Sequence, residues 1–207
     1  WLNKQIEDLK KLPNLKIKKR TTVAAFHAYN YLLARENLTD HLSIHERKNK
    51  IRQRLWKIRA KKVVIATGAI ERPLIFNNND RPGIILSSSI KKYIDYYGVK
   101  TGENVSLFTN NDSAYEAAIS LNKSGVKVKV IVDIRENPNS VLTEKIEKIG
   151  IKILKGYTVI DTFGYKRIKS FDVKKLSKDG ESVVGEKITH KCDCLGVSGG
   201  WTPMVHL

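Results

Sequence analysis

The amino-acid sequence predicts an α/β fold in which two βαβ units carry antiparallel meanders and the second unit is inserted into the first. Three observations carry that expectation. Val63, Val64, Ile65 and Ala66 form an apolar run bounded by Lys61-Lys62 and Gly68, too short for a helix and suited to a parallel strand covered on both faces. Residues 104–133 read as strand, helix and strand, the βαβ order. Residues 24–59 and 156–189 alternate apolar with polar positions, as antiparallel strands with one wet face do.

The 207 residues are 41% hydrophobic, enough for one large or two small domains. The first residue is Trp1 rather than Met and Leu207 closely follows Gly-Gly-Trp-Thr-Pro, which reads as a piece of a longer chain. No apolar run approaches the ~18 residues of a membrane span. Trp1–Leu12 lacks the charged start and apolar core of a signal peptide, so a soluble, cytoplasmic protein is expected. A net charge of +17 and a pI near 9.8 raise the question of nucleic acid. The charge is carried by 28 lysines against 10 arginines, scattered at solvated positions. Arg clusters and interleaved aromatics that read or stack on bases are missing. A solvated Lys-rich surface that also attracts an anionic cofactor is the favoured reading.

In chain order, apolar residues at 2, 6, 9 and 12 with Pro13 as the stop predict an amphipathic helix. Leu15-Lys-Ile-Lys alternates like a strand, continued by Arg20-Thr-Thr-Val23. Phe26–Tyr31, Tyr31–Leu38 and Gln53–Arg59 then form a three-stranded meander, with Ser43–Lys50 as an exposed turn. His27, His41 and His45 are dispersed over that hairpin and its loop, which favours edge histidines over ligands. The Val63–Ala66 strand ends at Thr67-Gly68, and in open α/β sheets the crevice beyond the carboxyl ends of the strands is where a dinucleotide lies. Gly68 lets backbone approach such a ligand without a Cβ in the way. Asn77–Gly83 is a cluster of turn formers, read as a linker. Ser87–Tyr97 is a helix stopped by Gly98.

The second unit begins near Gly102: strand Asn104–Thr109, helix Asp112–Ser124 capped by Gly125, strand Val126–Asp133, helix Pro138–Gly150 and strand Ile151–Leu154. Its inward helical residues are Ala114, Ala117, Ala118 and Leu121 in the first helix and Val141, Leu142, Ile146 and Ile149 in the second. Gly156–Phe163, Arg167–Lys175 and Ser182–Thr189 follow as a meander, with a hairpin turn at Lys178-Asp179-Gly180. The tight turn of a dinucleotide fold carries Gly-x-Gly-x-x-Gly/Ala, its glycines permitting the turn and close pyrophosphate approach. Here those positions hold Thr109 and Asn111, and only the small third residue, Ala114, survives. A side chain at Asn111 stands where pyrophosphate would lie. Asp133 ends its strand where a ribose hydroxyl would be bound, although aspartate also ends strands for turn reasons. The unit is therefore expected to keep the nucleotide fold as a scaffold, with Asn110 and Asn111 bonding the turn and capping the following helix.

Cys192 and Cys194, two apart on a predicted strand, would face the same way. His190 alone beside them falls short of a structural zinc set, so they read as buried thiols. The strand Cys192–Ser198 is expected to return beside 62–67. This makes 1–76 plus 194–207 one interrupted domain, 84–190 the inserted one and 77–83 the linker. Nothing supplies a nucleophile, a metal cluster or a paired acid and base, so no catalytic residue is assigned.

The ending Ala66-Thr67-Gly68 resembles the strand that closes the first dinucleotide half of two-dinucleotide flavoprotein reductases, whose fold is the FAD/NAD(P)-binding, disulfide-reductase-like pair of Rossmann domains. The run Ala66–Phe76, with Arg20-Thr-Thr-Val23 upstream and Thr109–Tyr115 and Ser198-Gly-Gly-Trp201 downstream, resembles the alpha subunit of heterotetrameric sarcosine oxidase. The resemblance implies cofactor binding by backbone at Val23 and at Ala66, Thr67 and Gly68, with NAD held in the first domain but not used for hydride transfer. It further implies FAD and FMN in the wider complex, tetrahydrofolate in a later domain, and beta, gamma and delta subunits as partners in oxidising sarcosine to glycine, formaldehyde and hydrogen peroxide. The Gly-rich phosphate loop of the first half is expected before Trp1. Two alternatives stay open: the FAD-binding alpha chain of a related amine or opine dehydrogenase, and a non-catalytic basic interaction module.

Overall fold

The structure, a computed structural model, describes residues 1–206. It divides into two compact units, Trp1–Thr67 with the chain end from Val205, and Gly68–Met204.

In the first unit the helix expected at the start is present as α1 (Leu2–Lys10), but its apolar stripe buries no residue. Ion pairs Lys10–Glu7 at 2.6 Å and Lys11–Asp8 at 2.8 Å lie on its exposed face and contribute little. Leu15–Lys18 forms no strand. Leu15 and Ile17 are exposed, and Arg20, at φ 54°, turns the chain before the first real strand. The meander is present as β1 (Thr21–His27), β2 (Tyr31–Asn37) and β3 (Gln53–Arg59), antiparallel in the order β1-β2-β3, but its first strand lies earlier than the expected Phe26–Tyr31, because Ala28–Asn30 forms a 3₁₀ turn. Its buried hydrophobic residues are Leu32 and Ala34. On that same face, where Trp56 lies opposite Ala34, its indole donates to Glu36 at 2.7 Å, with the Lys18 ammonium 4.0 Å from the ring centre.

The Val63–Ala66 run is not a buried strand. It runs outside any sheet, and Val64 is 89% exposed. The residues before it build a helix and a self-contained antiparallel meander, so among the described residues no parallel edge accepts its N–H and C=O groups. Apolarity makes a strand only where such neighbours exist.

The second unit opens with β4 (Ala69–Glu71), β5 (Ile84–Leu86) and α2 (Ser87–Asp95). The predicted βαβαβ follows as β6 (Asn104–Thr109), α3 (Ser113–Lys123), β7 (Lys127–Asp133), α4 (Val141–Lys148) and β8 (Ile153–Lys155). The meander is β9 (Tyr157–Phe163), β10 (Ser170–Leu176) and β11 (Val183–Lys191), and β12 (Cys194–Ser198) and β13 (Trp201–Pro203) close the unit. Five strands form an all-parallel sheet in the order β5-β12-β6-β7-β8. On one face Val105, Leu107 and Ile131 pack with Ile90, Tyr115, Leu121 and Ile146 from the helices. On the other Phe108, Val130 and Val132 pack with Val159, Phe171 and Val173 from the meander. Each such fully buried side chain contributes roughly 1.5–3 kcal/mol. In α4, Ile146 points inward as expected, whereas Val141 and Ile149 are exposed. Ser140 caps this helix by accepting from Thr143 N at 3.2 Å.

Three further expectations are corrected. The returning strand β12 pairs with β5 and β6 rather than beside 62–67. Its Leu195 and Val197 face the meander, and its Gly196 sits where a Cβ would lie 2.4 Å from Leu107 Cδ2 and 2.6 Å from Ile90 Cδ1. Both faces thus suit the middle of the sheet. Cys192 and Cys194, both buried, belong to opposite cores, because the chain bends at Cys192-Asp193 between β11 and β12 and breaks the alternation. The segment 77–83 is pinned along its length: Asn78 Nδ2 donates to Asp161 Oδ1 at 2.8 Å, Thr162 Oγ1 to Asn78 O at 2.9 Å, and Ile168 N to Pro82 O at 2.9 Å.

Candidate nucleotide crevice

Strand order sets where a ligand would lie. From β6 the chain winds one way to β7 and β8, while β12 and β5 lie on the other side. The switch point, where a doubly wound sheet opens a crevice at its carboxyl edge, therefore falls between Thr109 and Ser198, which face each other in register. Thr109, Asn111 and Ala114 lie at this edge, and Asp133 ends the neighbouring strand beside Thr109.

The crevice is stitched shut. Asn111 Nδ2 donates to Ser198 Oγ at 3.0 Å and to Ser198 O at 3.3 Å, while Asn110 N donates to Ser198 O at 3.2 Å. Asn110 Nδ2 reaches Gly199 O at 3.4 Å. Thr109 Oγ1 donates to Asn111 O at 2.8 Å and accepts from Asn111 N at 3.1 Å, so the turn is tied to itself. At the start of α3, Asn111 Oδ1 accepts from Ser113 N at 3.0 Å, satisfying a donor that a phosphate would otherwise use. The Trp201 indole donates to Ser113 Oγ at 3.2 Å. Ala114 is fully buried against the sheet.

Asp133 has no capacity left for a ribose. It is fully buried. Oδ1 accepts from Arg135 N at 2.9 Å and Arg135 Nε at 3.1 Å, and Oδ2 accepts from the Tyr115 hydroxyl at 2.5 Å and an Arg135 terminal nitrogen at 2.8 Å. A carboxylate offers about four acceptor sites, and four donors occupy them. That same Arg135 nitrogen also meets Asp112 at 2.7 Å. Burial, then its hydrogen bond to Asp133, pushes the Tyr115 hydroxyl well above the ordinary tyrosine range, so it stays a donor. The bond to Asp133 likewise raises Arg135. The residues present therefore do not fit a dinucleotide in this crevice.

The other assigned residues lie elsewhere. Val23 sits on β1 opposite Ala34, at the start of a bulge. Ala66 and Thr67 are exposed and lie outside any sheet. Gly68, at φ +83°, has open space where a Cβ would be and accepts from Met204 N at 2.9 Å. Backbone there is accessible to a ligand, but the 67 residues before Gly68 contain no glycine with which to build a phosphate turn.

Arg135, Ser198, Trp201 and Glu71 were missed as parts of this region. An Asp-x-Arg at a strand end was the available signal for Arg135. Glu71, buried on β4, accepts from Ser88 N at 2.8 Å and so supplies α2 with its N-terminal anion. Beside it Arg72 N donates to Gly200 O at 2.8 Å and Gly199 N to Arg72 O at 2.6 Å, continuing the antiparallel ribbon of β4 with β13.

In fold the chain is similar to the disulfide-reductase-like proteins. A NAD-dependent persulfide reductase from A. fulgidus superposes with TM-score 0.56 over 95% of this chain and 34% of that one at 13% identity. Thioredoxin reductase from T. acidophilum gives 0.55 over 72% and 47% at 20% identity. The particular resemblance is to the sarcosine oxidase alpha subunit, which the chain matches from end to end. It is 36% identical over 209 residues to that subunit of Corynebacterium sp. (strain P-1), covering 100% of this chain and 21% of the relative. To the alpha subunit of Rhizobium meliloti (strain 1021) it is 33% identical over 201 residues, covering 97% and 19%. The chain thus spans about a fifth of the length of these curated relatives. No family model matches it. Among the described residues no helix is long and apolar enough to cross a membrane.

Proposed function

We propose that this chain is the dinucleotide-binding scaffold region of a sarcosine oxidase alpha subunit, part of a cytoplasmic complex that oxidises sarcosine to glycine, formaldehyde and hydrogen peroxide. End-to-end identity to alpha subunits is the observation that carries this reading. In it the backbone at Val23, Ala66, Thr67 and Gly68 contributes to a NAD site, and the closed crevice of the second unit serves as a rigid support. FAD, FMN and tetrahydrofolate belong to other parts of the complex, and the beta, gamma and delta subunits are its partners. The test is to release cofactor from the purified full-length subunit by denaturation and identify it chromatographically. NAD in stoichiometric amount is expected. FAD in its place, or no dinucleotide, overturns the reading. The 207-residue chain alone is expected to bind neither NAD nor FAD, for want of a Gly-rich turn. Micromolar binding by calorimetry would refute that.

A further inference from the structure

The end of the parallel sheet opposite the crevice holds a different feature. The starts of β6, β7 and β12 open onto a hollow of about 360 Å³. Its floor is apolar, with Ile168 and Cys192 buried beneath it. Lys129, Lys169 and Lys191, all three exposed, line it, and among the described residues none of the three forms an ion pair. The carboxylate in the hollow, Asp193, is committed to backbone: Oδ1 accepts from Asn104 N at 2.9 Å and Oδ2 from Glu103 N at 3.0 Å. Like charges gathered around one concavity repel, and low-dielectric walls strengthen their common field. An anion placed among them converts that repulsion into attraction.

We infer that this hollow is a binding site for a small polyanion bearing phosphate or several carboxylates. Lysines act as mobile point charges rather than as a planar fork, which suits a compact, multiply charged group more than a single bidentate carboxylate. Asn104 also lines the hollow and carries a side-chain amide that offers donors without adding charge.

The experiment titrates the protein with pyrophosphate and, separately, with citrate, at constant ionic strength, by calorimetry. Saturable one-site binding is expected for at least one of them, and the stronger of the two identifies phosphate or carboxylate as the preferred group. Lys129→Gln, Lys169→Gln and Lys191→Gln should each weaken it about tenfold. Lys123→Gln and Lys148→Gln, on α3 and α4, should leave it unchanged. All five positions are exposed, so the fold is expected to survive, checked by an unaltered thermal midpoint. Absence of saturable binding at millimolar anion overturns the proposal. Equal weakening by the two remote variants does so too, since it would reveal general attraction to a chain of net charge +17. Tighter binding of an acidic peptide than of either small anion would also overturn it, in favour of a protein partner.

Discussion

The unit Gly68–Met204 covers its parallel sheet on both faces, with buried Val105, Leu107 and Ile131 toward the helices and buried Phe108, Val130 and Val132 toward the meander. The unit Trp1–Thr67 has three strands and two buried hydrophobic side chains. Val63–Ala66 and Val130–Val132 are built from the same kinds of residue, yet Val64 is solvent-exposed and Val132 is wholly buried. The difference teaches that apolar content predicts burial only when partner strands and covering layers are present on both sides.

Core substitutions test that contrast most strongly. Leu107→Ala should destabilise the second unit by about 2–5 kcal/mol, whereas Val64→Ala should cost less than about 0.5 kcal/mol, both read by denaturant unfolding. Similar losses at the two positions would break the comparison.

Glycines sharpen it at the next scale. A Cβ on Gly199 would meet Pro73 O at 2.7 Å and Arg72 O at 3.0 Å, both backbone atoms that have little room to yield. Gly199→Ala should therefore cost about 1–3 kcal/mol and loosen the ribbon of β4 and β13. Gly68→Ala faces open space and pays only for its positive φ, about 1 kcal/mol. Thermal midpoints of the two variants give the order.

The crevice offers a smaller effect. Replacing both Thr109 and Asn111 by glycine should leave the fold intact and cost about 1 kcal/mol through the lost helix cap and added chain entropy. Little NADH affinity should appear, because Arg135 and Tyr115 still occupy Asp133. Restored binding in a fluorescence titration would mean that the two side chains alone had closed the site.

The smallest effect is a pH dependence. Burial, and then the charge of Lys152, lowers the His190 imidazole from its ordinary value of 6.5, and its Nε2 is buried without a partner. The unfolded chain therefore takes up the proton first. Stability is complete above pH 6.5 and declines as the pH falls through that value toward the folded-state one. His190→Phe, which keeps the stacking on Phe171, should flatten this decline. An unchanged slope in unfolding midpoints between pH 7 and 5 would remove His190 as its source.

Much of the second unit was legible from residue pattern. Asn104–Thr109 and the helix after it follow from local apolar spacing and from Gly125, which turns the chain at φ +73°. That the turn after β6 carries Thr109 and Asn111 rather than glycine was legible too. Pairing was not legible in the same way. Cys194–Ser198 has the composition of any buried strand, and nothing local distinguishes β6 from 62–67 as its neighbour.

By itself, then, the sequence determined the α/β alternation, the meanders, the lack of glycine at positions 109 and 111 and the resemblance to an alpha subunit, all of which reside in short-range pattern and residue identity. Tertiary structure alone decided that β12 fills the middle of the sheet, that 63–66 stays unpaired, and that Asn111, Ser198, Trp201 and Arg135 close the crevice. Those outcomes depend on hydrogen-bond capacity and surface being shared among segments some ninety residues apart, as Asn111 and Ser198 are. Such sharing is settled only when the competing partners are present together.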